Sequence, residues 1–260
     1  MTDLYKHWCG TIRGHKNKKT LWLLSELKHG RKHALGELPG RIRSHYVSDD
    51  EIAKSVKDLG HPDTANWIRT LLPERAIGRS GDLGEILATE FVEEQLNYEV
   101  PVRKLRYKDH REMAMRGEDV IGVAYDDNDG LTLLKGEAKS AQTLSRGTVE
   151  TAREKLKEGF GRPSAHSLTF VARRLIQSDD PDRKELGKAI LQEAKSQAVP
   201  ERRLAHLLFT FTGNRVDQII ENDLNSADDI RQQHSVNVRI GDHGNFVKNI
   251  YEKAGSLGDD

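Results

Sequence analysis

The amino-acid order predicts an α/β domain with a mixed central sheet flanked by helices. Three observations carry this: residues 117–140 read as a β-hairpin, an amphipathic helix precedes them, and helical and strand-like stretches alternate after them. A basic, mainly helical segment, residues 1–75, leads into the main domain at residues 76–260. Glycine and proline spacing suggests short loops rather than a linker, so this boundary is soft and the whole can equally form one continuous domain.

The first segment has one short apolar patch, Leu21 to Leu24 with Trp22, followed by the glycine-punctuated HGRKHALGELPGRIRSH. His29 and His33 have a spacing that could ligate zinc on one helix face. No third ligand is near and Gly30 argues against a helix, so the pair is not taken as a metal site. Ser48 and Glu51 form a capping box for a helix ending near Gly60. A second helix, with Trp67, Ile68, Leu71 and Leu72 on one side, stops at Pro73.

From Ala76 the pattern changes. Leu83, Ile86, Leu87, Phe91 and Val92 recur at helical spacing. Gly78, Gly81 and Gly84 fall in the lead-in, and Glu85 falls in the first turn, where the helix macrodipole favours an acid. These glycines match neither a dinucleotide fingerprint nor a P-loop. A strand is expected from Glu99 to Lys108, then the charged connection DHREMAMRG. In the hairpin, Val120 to Tyr125 and Leu131 to Leu134 flank the turn-forming cluster Asp126, Asp127, Asn128, Asp129, Gly130. Further elements are a helix from Thr148 to Phe160, a strand from His166 to Ala172 and a helix from Pro181 to Ala198. A strand from Ala205 to Phe211, a capped helix near Ser226, a strand from Ser235 to Ile240 and a terminal helix with Phe246, Ile250 and Tyr251 complete the order.

Composition narrows the setting. Hydrophobic residues are 36% and charged residues 32% of the 260, no run approaches the roughly 18 apolar residues of a membrane span, and the N-terminus lacks the apolar core of a signal peptide. Cys9 is the single cysteine, which excludes an internal disulfide and fits a reducing cytoplasm. Net charge is zero, yet residues 1–47 carry ten Lys or Arg against three acids. That segment either contacts a phosphate backbone or is a solvated arm.

A turn centred on Asn128 pairs residues whose numbers sum to 256, which sets Asp119 opposite Glu137. Lys139 projects from the same face as Glu137, because strand side chains alternate. Two carboxylates and a strand carbonyl can hold Mg²⁺, and a nearby lysine can meet charge developing on a phosphate. The competing reading is a surface hairpin with a cross-strand salt bridge, contributing roughly 0.2–1 kcal/mol.

The element order, with Asp119 and then Glu137-Ala138-Lys139 on the next strand, resembles the PD-(D/E)xK nuclease core shared by type II restriction enzymes and many repair nucleases. Glu118 stands where that motif has proline. The resemblance implies a restriction-endonuclease-like fold with Mg²⁺, or Mn²⁺ in its place, as cofactor. Asp119, Glu137 and the Ala138 carbonyl would be its ligands, joined by Glu85 from the preceding helix, with Lys139 completing the catalytic set. More narrowly, GDLGEILATEF, RGEDVIGV, LLKGEAKS and TAREKL resemble the nuclease subunits of Hachiman antiphage defence systems, over most of the chain. This implies a metal-dependent endo- or exodeoxyribonuclease acting on DNA with a superfamily 2 helicase as partner. Arg103, Arg106, Arg116 and Lys135 are candidates for DNA-backbone contacts. An RNA-cleaving nuclease, and a catalytically silent scaffold or DNA-docking regulatory subunit, are the alternatives; the intact Asp119, Glu137, Lys139 set speaks against the silent one.

Overall fold

The structure, a computed structural model, describes residues 3–126, 130–196 and 199–256. The expected turn at Asn128 and the expected helix end at Ala198 lie outside them. A short helix α1 (Leu4–Trp8) runs into an antiparallel pair, β1 (Cys9–Lys16) and β2 (Lys19–Glu26). The sequence suggested mainly helix here, and the strand pair corrects that. Thr20, Trp22 and Leu24 are buried in alternation along β2, a period-two signal too short to stand out beside its charged neighbours.

Helix α2 (Gly30–Tyr46) follows, so Gly30 opens a helix instead of breaking one. The reason is packing: a Cβ at Gly30 would lie 2.0 Å from the Trp8 carbonyl oxygen. Helix α3 (Asp49–Leu59) has the expected Ser48–Glu51 capping box and ends at Gly60. Helix α4 (His61–Leu71) ends just before Pro73.

Helix α5 (Ala76–Gln95) starts earlier than its glycines suggested. The expected strand after it is absent beyond a single bridge, in which Glu99 and Val123 exchange two backbone bonds of 2.8 Å. Pro101 has no N–H to extend a ladder, and the chain instead coils into a 3₁₀ turn at Lys104–Tyr107. The hairpin forms as β3 (Val120–Asp126) and β4 (Gly130–Ala141), in the expected register with Val120 opposite Gly136.

Helix α6 (Arg146–Lys157) leads to a left-handed turn at Glu158–Gly161. The expected strand at His166 is helix α7 (Ala165–Ile176), capped by Ser164, whose hydroxyl accepts from the Ser167 N–H at 3.2 Å. Leu168, Val171, Ala172 and Leu175 form its buried stripe, and that spacing outweighs the local β-branched composition. Helix α8 (Pro181–Ser196), β5 (Leu204–Thr212), α9 (Asp217–Ser226), β6 (Gln232–Arg239) and α10 (His243–Ser256) complete the order. Ser226 thus closes α9.

The six strands form one mixed sheet ordered β1-β2-β6-β5-β4-β3, with parallel pairing from β2 through β4 and an antiparallel pair at each side. Every residue of β5 is buried, as a central parallel strand requires. Ala205, Leu207, Phe209 and Phe211 face a core with α2, α5 and α10, while Leu208 faces α6 and α9 across the sheet. The first of these cores unites residues from Leu4 to Ala254. Among the described residues, no helix is long and apolar enough to cross a membrane.

Candidate metal centre and its lysines

The site is built where α5 crosses the end of β4. A Cβ on Gly84 would stand 3.1 Å from the Ser140 Cβ, so glycine permits the close crossing. Ser80 and Ser140 reinforce it with hydroxyls 2.8 Å apart. The crossing sets Glu85 against the hairpin, in the third turn of α5. Because the helix dipole acts within the first turn, it does not account for this acid, contrary to the sequence expectation.

On the hairpin, Asp119 directly precedes β3, and its Oδ2 accepts the Ala138 N–H at 2.9 Å across the ladder. Gly136 allows this approach, since a Cβ there would lie 2.9 Å from that of Val120. Glu137 is buried, and its Oε1 is met by the ammonium of Lys139 and, at 3.0 Å, by that of Lys155 from α6. Lys139 Nζ also donates to the Ala138 carbonyl at 3.2 Å. One ammonium therefore bridges two of the oxygen donors that the sequence nominated for a cation.

The electrostatics agree with that crowding. Burial, then the charge of Asp119, pushes the Glu85 carboxyl up to about 8, with Lys104 pulling the other way. Asp119 is raised by burial and then by Glu137, despite the Ala138 N–H. Burial pulls Lys155 down, but its bond to Glu137 and the surrounding carboxylates outweigh that and raise it.

A cavity of about 470 Å³ meets the cluster at Glu85 and Asp119, walled by Val100, Val102, Ile121 and Phe170, with Lys104 and Arg116 also lining it.

A profile of the HamA family matches residues 3–254. The chain belongs to the HamA family. Among its relatives, Hachiman protein HamA of Bacillus cereus is 26% identical over 231 residues, covering 87% of this chain and 81% of that one. The HamA match takes in Glu85, Asp119, Glu137, Lys139 and Lys155.

The remaining candidates in this HamA-family chain fall elsewhere. Lys135 is buried and donates to the Glu158 carbonyl at 2.9 Å, so it offers no surface charge to a DNA backbone. Arg103 is held by Glu93 at 2.6 Å, and Arg106 by the Ser44 carbonyl at 2.6 Å. Only Arg116, of the four, is exposed. Glu118 has a job of its own: its carboxylate accepts from the Ser164 N–H at 2.6 Å and hydroxyl at 3.1 Å, fastening α7 to the hairpin. Sequence reasoning missed Lys155, although TAREKL was among the resembling stretches, and Lys104, which donates to the Glu118 carbonyl at 2.9 Å.

The raised Glu85 carboxyl gives a pH signature. Its folded value lies above the unfolded one, so the folded state holds the proton more tightly and stability falls as pH rises between about 4.5 and 8. His206, His234 and His243, each pulled down to about 4 by burial, oppose this below about 6.5. Thermal melting in EDTA should therefore show the decline between about 6.5 and 8, and Glu85→Gln should flatten it. An unchanged decline in the variant would exclude Glu85 as its source.

Proposed function

We propose that this chain is a metal-dependent deoxyribonuclease, the effector subunit of a Hachiman antiphage defence complex with a superfamily 2 helicase. The observation that carries the chemistry is the Lys139 ammonium bridging Glu137 and the Ala138 carbonyl, beside an Asp119 that feels the charge of Glu137 and in turn raises Glu85. The family match and the name of the Bacillus cereus relative support the defence context.

Among the described residues, no three Asp, Glu, His or Cys side chains are posed together as a metal cage. The donor chemistry nonetheless fits a hard cation: these are oxygen donors, held so close that burial and mutual repulsion raise Glu85 and Asp119. Asp119, Glu137, the Ala138 carbonyl and Glu85 would hold Mg²⁺, or Mn²⁺ in its place. Bound there, the ion supplies Lewis acidity and an acidified water. Lys139 meets the charge that builds on the phosphate, and Lys155 keeps Glu137 oriented while Lys139 is so engaged. The Ala138 N–H fixes the Asp119 carboxylate, which a loop residue would otherwise lose to rotation.

Purified protein, with and without the helicase, is incubated with plasmid DNA and with RNA under Mg²⁺ or EDTA. DNA cleavage that requires the metal is expected. Cleavage of RNA alone would overturn the substrate, and no cleavage under any condition would overturn catalysis and favour the scaffold reading.

A further inference from the structure

The turn after α6 holds three successive residues at left-handed backbone angles: Gly159 at φ 65°, Phe160 at φ 60° and Gly161 at φ 74°. Glycine adopts this conformation freely, whereas an L side chain resists it. Phe160 is also 85% exposed. A bulky apolar ring is thus held in a conformation it disfavours, where it buries almost nothing.

Three buried side chains from three neighbouring parts of the sheet hold this turn in place. Lys135 on β4 donates to the Glu158 carbonyl at 2.9 Å, Arg231 just before β6 to the Phe160 carbonyl at 2.9 Å, and His206 on β5 to the Gly161 carbonyl at 2.8 Å. All three are nearly inaccessible. The turn is further closed by a bond from the Arg162 N–H to the Gly159 carbonyl at 3.2 Å. Gly161 is required, because a Cβ there would strike Arg231 at 1.8 Å. Nothing comparable requires phenylalanine at 160 for folding.

Position relates the ring to the carboxylates. Lys155, which contacts Glu137, lies in the last turn of α6, and the chain passes directly from there into the turn. Five residues of chain reach at most about 17 Å, or about five stacked nucleotides at 3.4 Å each. Phe160 also borders a cleft that takes in Glu118, the residue before Asp119, and Arg162. Two half-exposed lysines precede the ring at the end of α6, Lys155 held by Glu137 at 3.0 Å and Lys157 by Glu154 at 2.7 Å. An exposed aromatic interleaved with cations is the composition of a base-stacking platform.

We propose that Phe160 is a nucleobase-stacking site that receives an unpaired base of the DNA strand entering the carboxylate cluster. The proposal deepens the nuclease reading and rests on it: the substrate presented to the site is single-stranded or frayed. Stacking is indifferent to base identity, because every base offers a π-face.

The test uses a single-stranded oligonucleotide carrying 2-aminopurine, with the full chain in EDTA so that no cleavage intervenes. Wild type should change the probe's fluorescence on binding. Phe160→Ala should lose that response and bind roughly tenfold more weakly, while Phe160→Trp retains both. Phe160→Gly should lose the response yet melt no lower than wild type, which excludes unfolding as the cause. Unchanged binding and fluorescence in Phe160→Ala would overturn the stacking site; if that variant also failed to bind the helicase, the ring would be a protein-docking contact. Phe160-dependent binding without any metal-dependent cleavage by wild type would instead remove the nuclease reading and leave the stacking site standing.

Discussion

Lys139→Met should lower DNA cleavage by at least about a hundredfold, the scale for losing one preorganised charge-stabilising group, while binding to DNA in EDTA stays near wild type. Methionine keeps an unbranched stem of similar length and removes the ammonium. The fold should survive, because Glu137 is not orphaned: Lys155 remains 3.0 Å from its Oε1. A structural role for Lys139 therefore predicts a lower melting temperature, whereas a catalytic role predicts slow cleavage by a protein that melts within a few degrees of wild type. Cleavage assayed under Mg²⁺ beside a melting curve separates the two. Full activity in Lys139→Met would sink the assignment.

Arg153→Met should produce the largest loss of stability. Arg153 is 4% exposed, and its guanidinium contacts Asp223 at 3.1 and 2.6 Å, Gln233 at 2.8 Å and the Ser235 hydroxyl at 3.1 Å. It thereby ties α6, which carries Lys155, to α9 and β6. Removing it leaves a carboxylate buried without its cation, a change that costs about 3–5 kcal/mol. For a chain of this size that is a fall of roughly 10 °C in melting temperature. Adding Asp223→Leu should recover much of the loss, because the uncompensated charge is then gone. A single variant that melts within 2 °C of wild type, taken as about 1 kcal/mol or less, would show that the pair contributes little.

The hairpin was legible because two signals agreed. Period-two apolar runs bounded a turn-rich cluster, and the resulting sum rule is the observed register, Val120 with Gly136 and Asp126 with Gly130. The capping box of α3 was legible for the same reason, since Ser48 and Glu51 need only each other. Elements whose reasons lie far along the chain were not. β2 looks like part of a basic lead-in because, beyond its local pairing with β1, its other neighbour is the distant β6. Gly30 reads locally as a helix breaker and Gly84 as helix lead-in, although each marks a close crossing whose other half, Trp8 or Ser140, local pattern does not reveal. At residues 166–172 composition and period disagreed, and period decided.

Within the site the same division holds. Asp119, Glu137 and Lys139 share one hairpin, so local geometry brings them together. Lys155 reaches Glu137 from another element, and no spacing rule links a helix face to a strand that it packs on. Lys135 shows the converse: a lysine in a strand reads as surface charge until the carbonyl of Glu158 is seen to consume it.

The pairing of β2 with β6 also governs how the chain must be made. Lys19 lies opposite Gln233, a closure of roughly two hundred residues whose entropic cost must be met before its contacts form. At a synthesis rate of about 5–20 residues per second, β2 waits ten seconds or more after its own emergence for that neighbour. β5 needs the same strand on one side. A ribosome stalled before β6 would therefore leave β2 and β5 each with one open edge, and the sheet could not close.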